Sequence, residues 1–220
     1  MPRKFQQRRS AMPKKIIITI ARQYGSGGRE IGEKVAALLG IPLYDKQLIT
    51  DAAAKGSLNE EIIRSADESA ANSLLYTLAM GSNHYGTAMH FGYKMPLNDK
   101  LFILQSEVIK EYAEQGSCVI IGRCADYVLK DDHDVFRLFI YGDLEHRQAR
   151  IKERHPEIKQ SQIIDVINKT DKRRASYYNF YTGNKWGKYD NYDMALNSST
   201  LGIDGTAQLI AAAVKKLIED

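Results

Sequence analysis

Cysteine is nearly missing from this chain: Cys118 and Cys124 are its only two. Cys118 falls in an apolar, strand-like run, so two reduced thiols are expected rather than a disulfide. A pair with no histidine at ligand spacing cannot make a four-ligand zinc site. Long hydrophobic runs are missing too. None approaches the roughly 20 residues that span a bilayer, and the basic start leads into PKKIIITIARQ, not into the apolar core and small-residue cleavage site of a secretory leader. The expected location is the cytoplasm, with no membrane partner. Acidic residues are missing ahead of Ile16, where Arg3, Lys4, Arg8, Arg9, Lys14 and Lys15 stand unopposed. Those six charges, against a formal total of +4, leave the rest of the chain near −2. The basic balance therefore belongs to residues 1–15, read as a disordered tail. Nucleic acid is not an expected partner, because no aromatic platform of the kind that stacks bases is interleaved on the strands. With 44% hydrophobic and 26% charged residues, residues 16–220 can bury one sizeable core, which favours a single domain.

The most informative absence is a lysine. Ile16 to Gly32 reads IIITIARQYGSGGREIG: a β-branched apolar run, then Gly25, Gly27 and Gly28, then helical spacing. Strand, glycine-rich turn and helix N-terminus in that order form the usual cradle for nucleotide phosphates. The standard loop, G-x-x-x-x-G-K-[ST], ends in lysine, whereas here GSGG is followed by Arg29 and Glu30. Either the loop holds phosphate by another charge, or it is an ordinary tight turn. Arg29 in the first helical turn opposes the helix dipole by about 0.3 to 1 kcal/mol unless an anion sits there.

Further along, Ile31, Val35, Leu38 and Leu39 share one helical face that Gly40 ends. Residues 59–80 read as helix, and 81–96, with three glycines and three aromatics, read as an excursion that wraps a substrate. His84 and His90 in that segment lack a nearby carboxylate and are a poor metal pair. Leu101, Leu104, Val108 and Tyr112 share the next helical face, closed by Gly116. CVIIG and RLFIY are fully apolar strands. Asp143 is placed to cap a strongly basic helix that Pro156 ends, a long helix covers 160–179, a short strand lies around Met194–Leu196, and a closing helix runs over 206–218. Asp204 is placed to cap that helix, with Leu209, Ile210, Val214 and Leu217 facing the sheet. Short buried strands alternating with amphipathic helices predict an α/β fold: a parallel sheet between two helical layers.

ARQYGSGGREIG, LYDKQLI, VIIGRCADYVL, RLFIYGDLEHRQAR, TDKRRASYY and NYDMALNSS, in this order, resemble the cytidylate kinase-like branch of the P-loop nucleoside monophosphate kinases over nearly all of residues 16–219. The resemblance implies ATP and Mg2+ as cofactors and transfer of the γ-phosphoryl to a nucleoside monophosphate, CMP or dCMP. A nucleotide-binding protein without transfer chemistry, or a kinase of another small acceptor, are the alternatives. It also implies an acceptor-binding excursion over 45–97 and a lid over 168–192.

Laid on the family's G-P-S-G-S-G-K-S loop, Gly25, Ser26 and Gly27 match, Gly28 takes the lysine position and Arg29 the hydroxyl position. Gly25, Ser26, Gly27, Gly28 and Arg29 are then the expected ATP contacts. Arg22 and Arg29, which bracket the loop, and Arg173 and Arg174 in the lid are the expected carriers of transition-state charge. Magnesium, without the loop hydroxyl, would rest on Ser26 or Asp45 through water. On the acceptor side, Tyr44 is expected to stack on a base, Lys46 to reach a phosphate and Asp45 to orient the acceptor. Arg123 is expected to bind the monophosphate. Asp126 is the nearest acid to the family's G-R-D aspartate, and Asp193 is expected near the acceptor nucleoside. Trp186 is expected to stack on a base or pin the lid.

Overall fold

The computed structural model describes residues 15–45, 47–56, 97–131 and 134–219. The helix expected over 59–80, the segment 81–96, Lys46 and the tail up to residue 14 lie outside the described residues. So does most of the excursion expected over 45–97.

Strand β1 (Ile17–Arg22) is central. It pairs in parallel with β3 (Cys118–Ile121) on one side and β4 (Val135–Tyr141) on the other. The short β2 (Leu43–Tyr44) pairs with β3, and β5 (Met194–Asn197) with β4, so the sheet order is β2-β3-β1-β4-β5, all parallel. Alternation along the strands divides the core in two. Ile18, Ile20, Val119, Ile121, Leu138 and Ile140 face α1 (Gly28–Leu39) and α7 (Ser198–Glu219). Ile17, Cys118 and Ile120 face α2 (Gln47–Lys55), α3 (Leu97–Gln115) and the one-turn α4 (Ala125–Val128). The result is the expected α/β/α sandwich. Full burial of each isoleucine on β1 stabilises it by about 1.5 to 3 kcal/mol. No helix among the described residues is long and apolar enough to cross a membrane.

Helices α5 (Leu144–Arg154) and α6 (Ile163–Thr182), joined through a 3-10 turn at Gln160–Gln162, sit beyond this sandwich. They make a satellite core of Ile151, Ile163 and Ile167 against Tyr24 and Ile158. That core anchors them over the end of β1, where the chain leaves the sheet for the glycine turn.

Several local expectations are corrected. Leu38 and Leu209 are solvent-exposed, at 46% and 41%; the helices bury a narrower stripe than their apolar residues suggested. Asp143 does stand at the N-cap of α5 but makes no side-chain cap, because its Oδ1 accepts from Asn197 Nδ2 at 2.9 Å. Asp204 is engaged elsewhere: the helical run from Ser198 is broken at Gly202, with φ 66° and ψ −177°, and Asp204, two residues further on, pairs with Lys34 at 2.6 Å.

Candidate functional site

The crossovers diverge at β1, to β2 and β3 on one side and to β4 and β5 on the other. In an open parallel sheet such a switch point leaves a crevice at the carboxyl ends of the strands. There the described residues line a cleft of about 940 Å³. Its wall carries seven arginines, Arg22, Arg29, Arg123, Arg150, Arg154, Arg173 and Arg174, against three carboxylates, Glu30, Asp45 and Asp126. An excess of that size focuses positive potential and selects a polyanion.

The glycine turn forms the floor. Gly25 and Gly27 have φ of 81° and 75°, a region closed to most side chains. Gly28 begins α1, and a Cβ there would come 2.5 Å from Cβ of Arg22. Gly27 caps α1 without any side-chain bond, so the first-turn N–H groups, which have no intrahelical acceptor, face the cleft mouth. Ser26 is a correction. It is 1% exposed and its Oγ donates to Gln23 O at 2.9 Å, so the hydroxyl closes the turn from inside and is not offered to a metal. Ser198, which the sequence did not single out, supports the same turn by donating to Ser26 O at 2.7 Å.

Arg22 crosses the cleft floor. A Cβ on Gly122 would fall on its Nη1, which places this guanidinium at the exit of β3, between the glycine turn and Arg123. Arg29 lies at the rim, half exposed, paired with Asp45 at 3.0 Å and Glu33 at 3.2 Å. Those carboxylates offset its charge.

After β3 the backbone is strained. Arg123 and Cys124 have φ of 57° and 56°, rare for side-chain-bearing residues and costing on the order of 1 kcal/mol or more each. Asp126 follows, 8% exposed. Burial pushes its carboxyl above the ordinary value, while the Tyr178 hydroxyl, donating to Oδ2 at 2.6 Å, pulls it back. Burial likewise pushes the Cys118 thiol up to about 11 and that of Cys124 further still. Both thiols are free, and burial disfavours the thiolate form of each, including Cys124, which touches the cleft.

Helix α6 roofs the cleft. Arg174 Nη1 donates to Arg22 O at 2.9 Å, and its guanidinium lies 5.6 Å over the Tyr24 ring. Burial lowers the Arg174 pKa, and Asp171, Tyr24 and Asp45 push it back up. Arg173 is exposed beside it. Asp171 docks the helix: it accepts from Tyr24 N at 2.7 Å and pairs with Arg147, whose Nε donates to Tyr24 O at 2.7 Å. Trp186 lines the cleft with its ring edge-on to Phe139, 5.2 Å between centroids.

Two acceptor-side expectations are corrected. Tyr44 stacks face to face on Tyr112, 3.8 Å apart and parallel within 1°, and does not line the cleft; it is a half-buried part of the core below α3. Asp193 is spent on Arg137, accepting from Nε at 3.0 Å and Nη2 at 2.6 Å. That fork fastens the start of β5 to β4, outside the cleft. Arg150 and Arg154, four apart on the cleft face of α5, are cleft residues that escaped the sequence reading. The spacing was readable, but not the surface the face would meet.

No group of three metal-ligating side chains occurs among the described residues. Asp45, in the cleft but paired with Arg29, remains the candidate for contact with magnesium through water.

The family model described as the cytidylate kinase-like family matches residues 17–200. Among solved structures, an uncharacterized protein from Eubacterium ventriosum is similar at 28% identity and a TM-score of 0.66, over 91% of this chain and 99% of that one. Shikimate kinase from Bacteroides thetaiotaomicron is similar at 12% identity and 0.53, over 91% and 98%. A gluconokinase from Sinorhizobium meliloti is similar at 14% identity and 0.52, over 94% of each chain. At such identities the last two show the fold alone, that of the P-loop kinases. No curated protein matches the chain.

Proposed function

This chain belongs to the cytidylate kinase-like family, and from that premise we propose that it is a phosphotransferase moving the γ-phosphoryl of ATP to a nucleoside monophosphate, CMP or dCMP. The observation that carries the reading is the seven-to-three excess of arginines over carboxylates in one cleft above a glycine turn at a helix N-terminus. Phosphoryl transfer asks the protein for positioning and positive charge more than for covalent chemistry. The glycine turn and the α1 end fit the donor phosphates. Arg123 and Arg22, on the β3 side, fit the acceptor phosphate. Arg173 and Arg174 cover the space between from α6.

In the reaction, an oxygen of the acceptor monophosphate forms a bond to the γ-phosphorus while the bond to the β–γ bridging oxygen breaks. ADP departs with that electron pair. A dianionic acceptor brings no proton that needs removal. Asp45 is the residue that would hold magnesium, through water, and the ion would there supply further positive charge to the donor phosphates.

The missing lysine and the inward-turned Ser26 hydroxyl favour one other reading, nucleotide binding without transfer. A coupled assay with ATP and Mg2+ separates the two. CMP, dCMP, UMP, AMP and GMP would be tested beside free nucleosides, shikimate and gluconate. The expected result is turnover with a pyrimidine monophosphate. Turnover with shikimate or gluconate alone would move the acceptor to another class, and ATP binding with no turnover on any acceptor would establish the binding-only reading.

A further inference from the structure

Three charged side chains beside the glycine turn are bound to one another. Arg150 and Arg154, one turn apart on α5, both reach Oε2 of Glu30 in the first turn of α1, Arg154 Nη2 at 2.5 Å. The Arg150 guanidinium also rests against the turn itself: a Cβ on Gly27 would lie 3.3 Å from its Cζ and Nε. Its side chain is 15% exposed, compared with 49% for Arg29. Arg147, on the same helix, is committed elsewhere, to Tyr24 O and Asp171. Helix α5 thus carries one arginine that anchors it and two that converge on the turn.

Resting on the reading of that turn as the nucleotide-phosphate site, we propose that Arg150 supplies the cation the loop lacks. Glu30 is its built-in stand-in anion, holding Arg150 and Arg154 over the loop until nucleotide phosphates displace it. Each part follows from position. Arg22 reaches away from the turn toward Gly122, and Arg29 is drawn to Asp45 and Glu33, so neither covers Gly27. Glu30 occupies the first turn of α1, where the dipole favours a negative charge and where a phosphate would sit. One carboxylate oxygen shared by two guanidinium forks is a poor match for them, whereas a polyphosphate offers several oxygens and more charge. The stand-in compensates the charge of a partly buried arginine. The exchange also makes the loop's affinity a difference between two anions for the same pair of cations.

Calorimetric titration with inorganic tripolyphosphate and with ADP tests this on the parent, E30Q, R150A and the double variant, each checked for parental melting. Glu30→Gln keeps the shape and removes the competing charge, so binding should tighten about threefold, the scale of a partly exposed ion pair. A purely structural role for Glu30 would weaken binding instead. Arg150→Ala should weaken tripolyphosphate on the order of tenfold, the scale of a lost charge-assisted hydrogen bond, and the E30Q gain should vanish in that background. Unchanged or weaker binding by E30Q overturns the stand-in role, and parental affinity in R150A overturns the role of Arg150. Should R150A fail to fold, R150K carries the test: loss of the fork should weaken binding measurably, and parental affinity again overturns it. Tripolyphosphate needs no acceptor, so a parent that binds it but turns over no monophosphate refutes the functional reading alone. A parent that binds neither probe refutes both.

Discussion

Arg22→Ala should lower phosphoryl transfer about a hundredfold, on the order of 3 kcal/mol, while ATP binding changes only a few-fold. The reason is where this guanidinium lies. It runs from the glycine turn to the exit of β3, against Gly122 and next to Arg123, between the expected donor and acceptor phosphates. A charge at that point is most useful while the phosphoryl group is in transit, and an interaction strongest in the transition state appears in turnover rather than in ground-state binding. The sequence put Arg29 on the same footing. The structure separates the two, because Arg29 is half exposed and already neutralised by Asp45 and Glu33; Arg29→Ala should cost less than tenfold. Single-turnover rates with a confirmed acceptor decide between them. Near-parental turnover in R22A would remove Arg22 from the mechanism and leave Arg173 and Arg174 to carry the charge.

The second large effect is on stability. Asp171→Ala should destabilise the fold by about 3 to 5 kcal/mol, since removing one partner of a buried pair strands the other. The stranded group is Arg147, whose side chain is 7% exposed against 16% for Asp171. The Tyr24 N–H would lose its acceptor in the same step. Asp171→Asn, which keeps an oxygen for Tyr24 N, should fall between alanine and parent. Urea unfolding checks the order, and a loss below about 1 kcal/mol for D171A would mean that α6 is held mainly by its apolar contacts. The same residue joins stability to function: it docks α6, and α6 brings Arg173 and Arg174 over the cleft.

The features legible in the sequence are those that neighbouring residues decide. The run before Arg22, the glycines that need positive φ and the stop at Gly40 each announce their structure locally, and with the alternation of short apolar strands and helices they yield the fold. Side chains whose role depends on a distant partner were misjudged. Tyr44 reads equally well as a base-stacking ring or a core ring until Tyr112 is seen lying on it. Asp193 looks available until Arg137, across a strand pair, takes both of its oxygens. Asp143 has the chemistry of a cap, but Asn197 claims it. Arg150 and Arg154 show the opposite failure: the basic face of α5 was plain, yet nothing local says that Glu30 and Gly27 lie beneath it. Arginine is long enough for its backbone position to say little about where its charge acts.

Binding of nucleotide phosphate by a lysine-free glycine turn at the start of α1 underlies the proposed function. Backbone amide hydrogen exchange across Gln23–Ile31, with and without millimolar ADP, tests it most directly, since the expected contacts are the amides themselves. Protection is expected to concentrate at Gly25, Gly27, Gly28 and Arg29. Absence of ADP and ATP binding at millimolar concentration, or protection confined to residues remote from that turn, would contradict it.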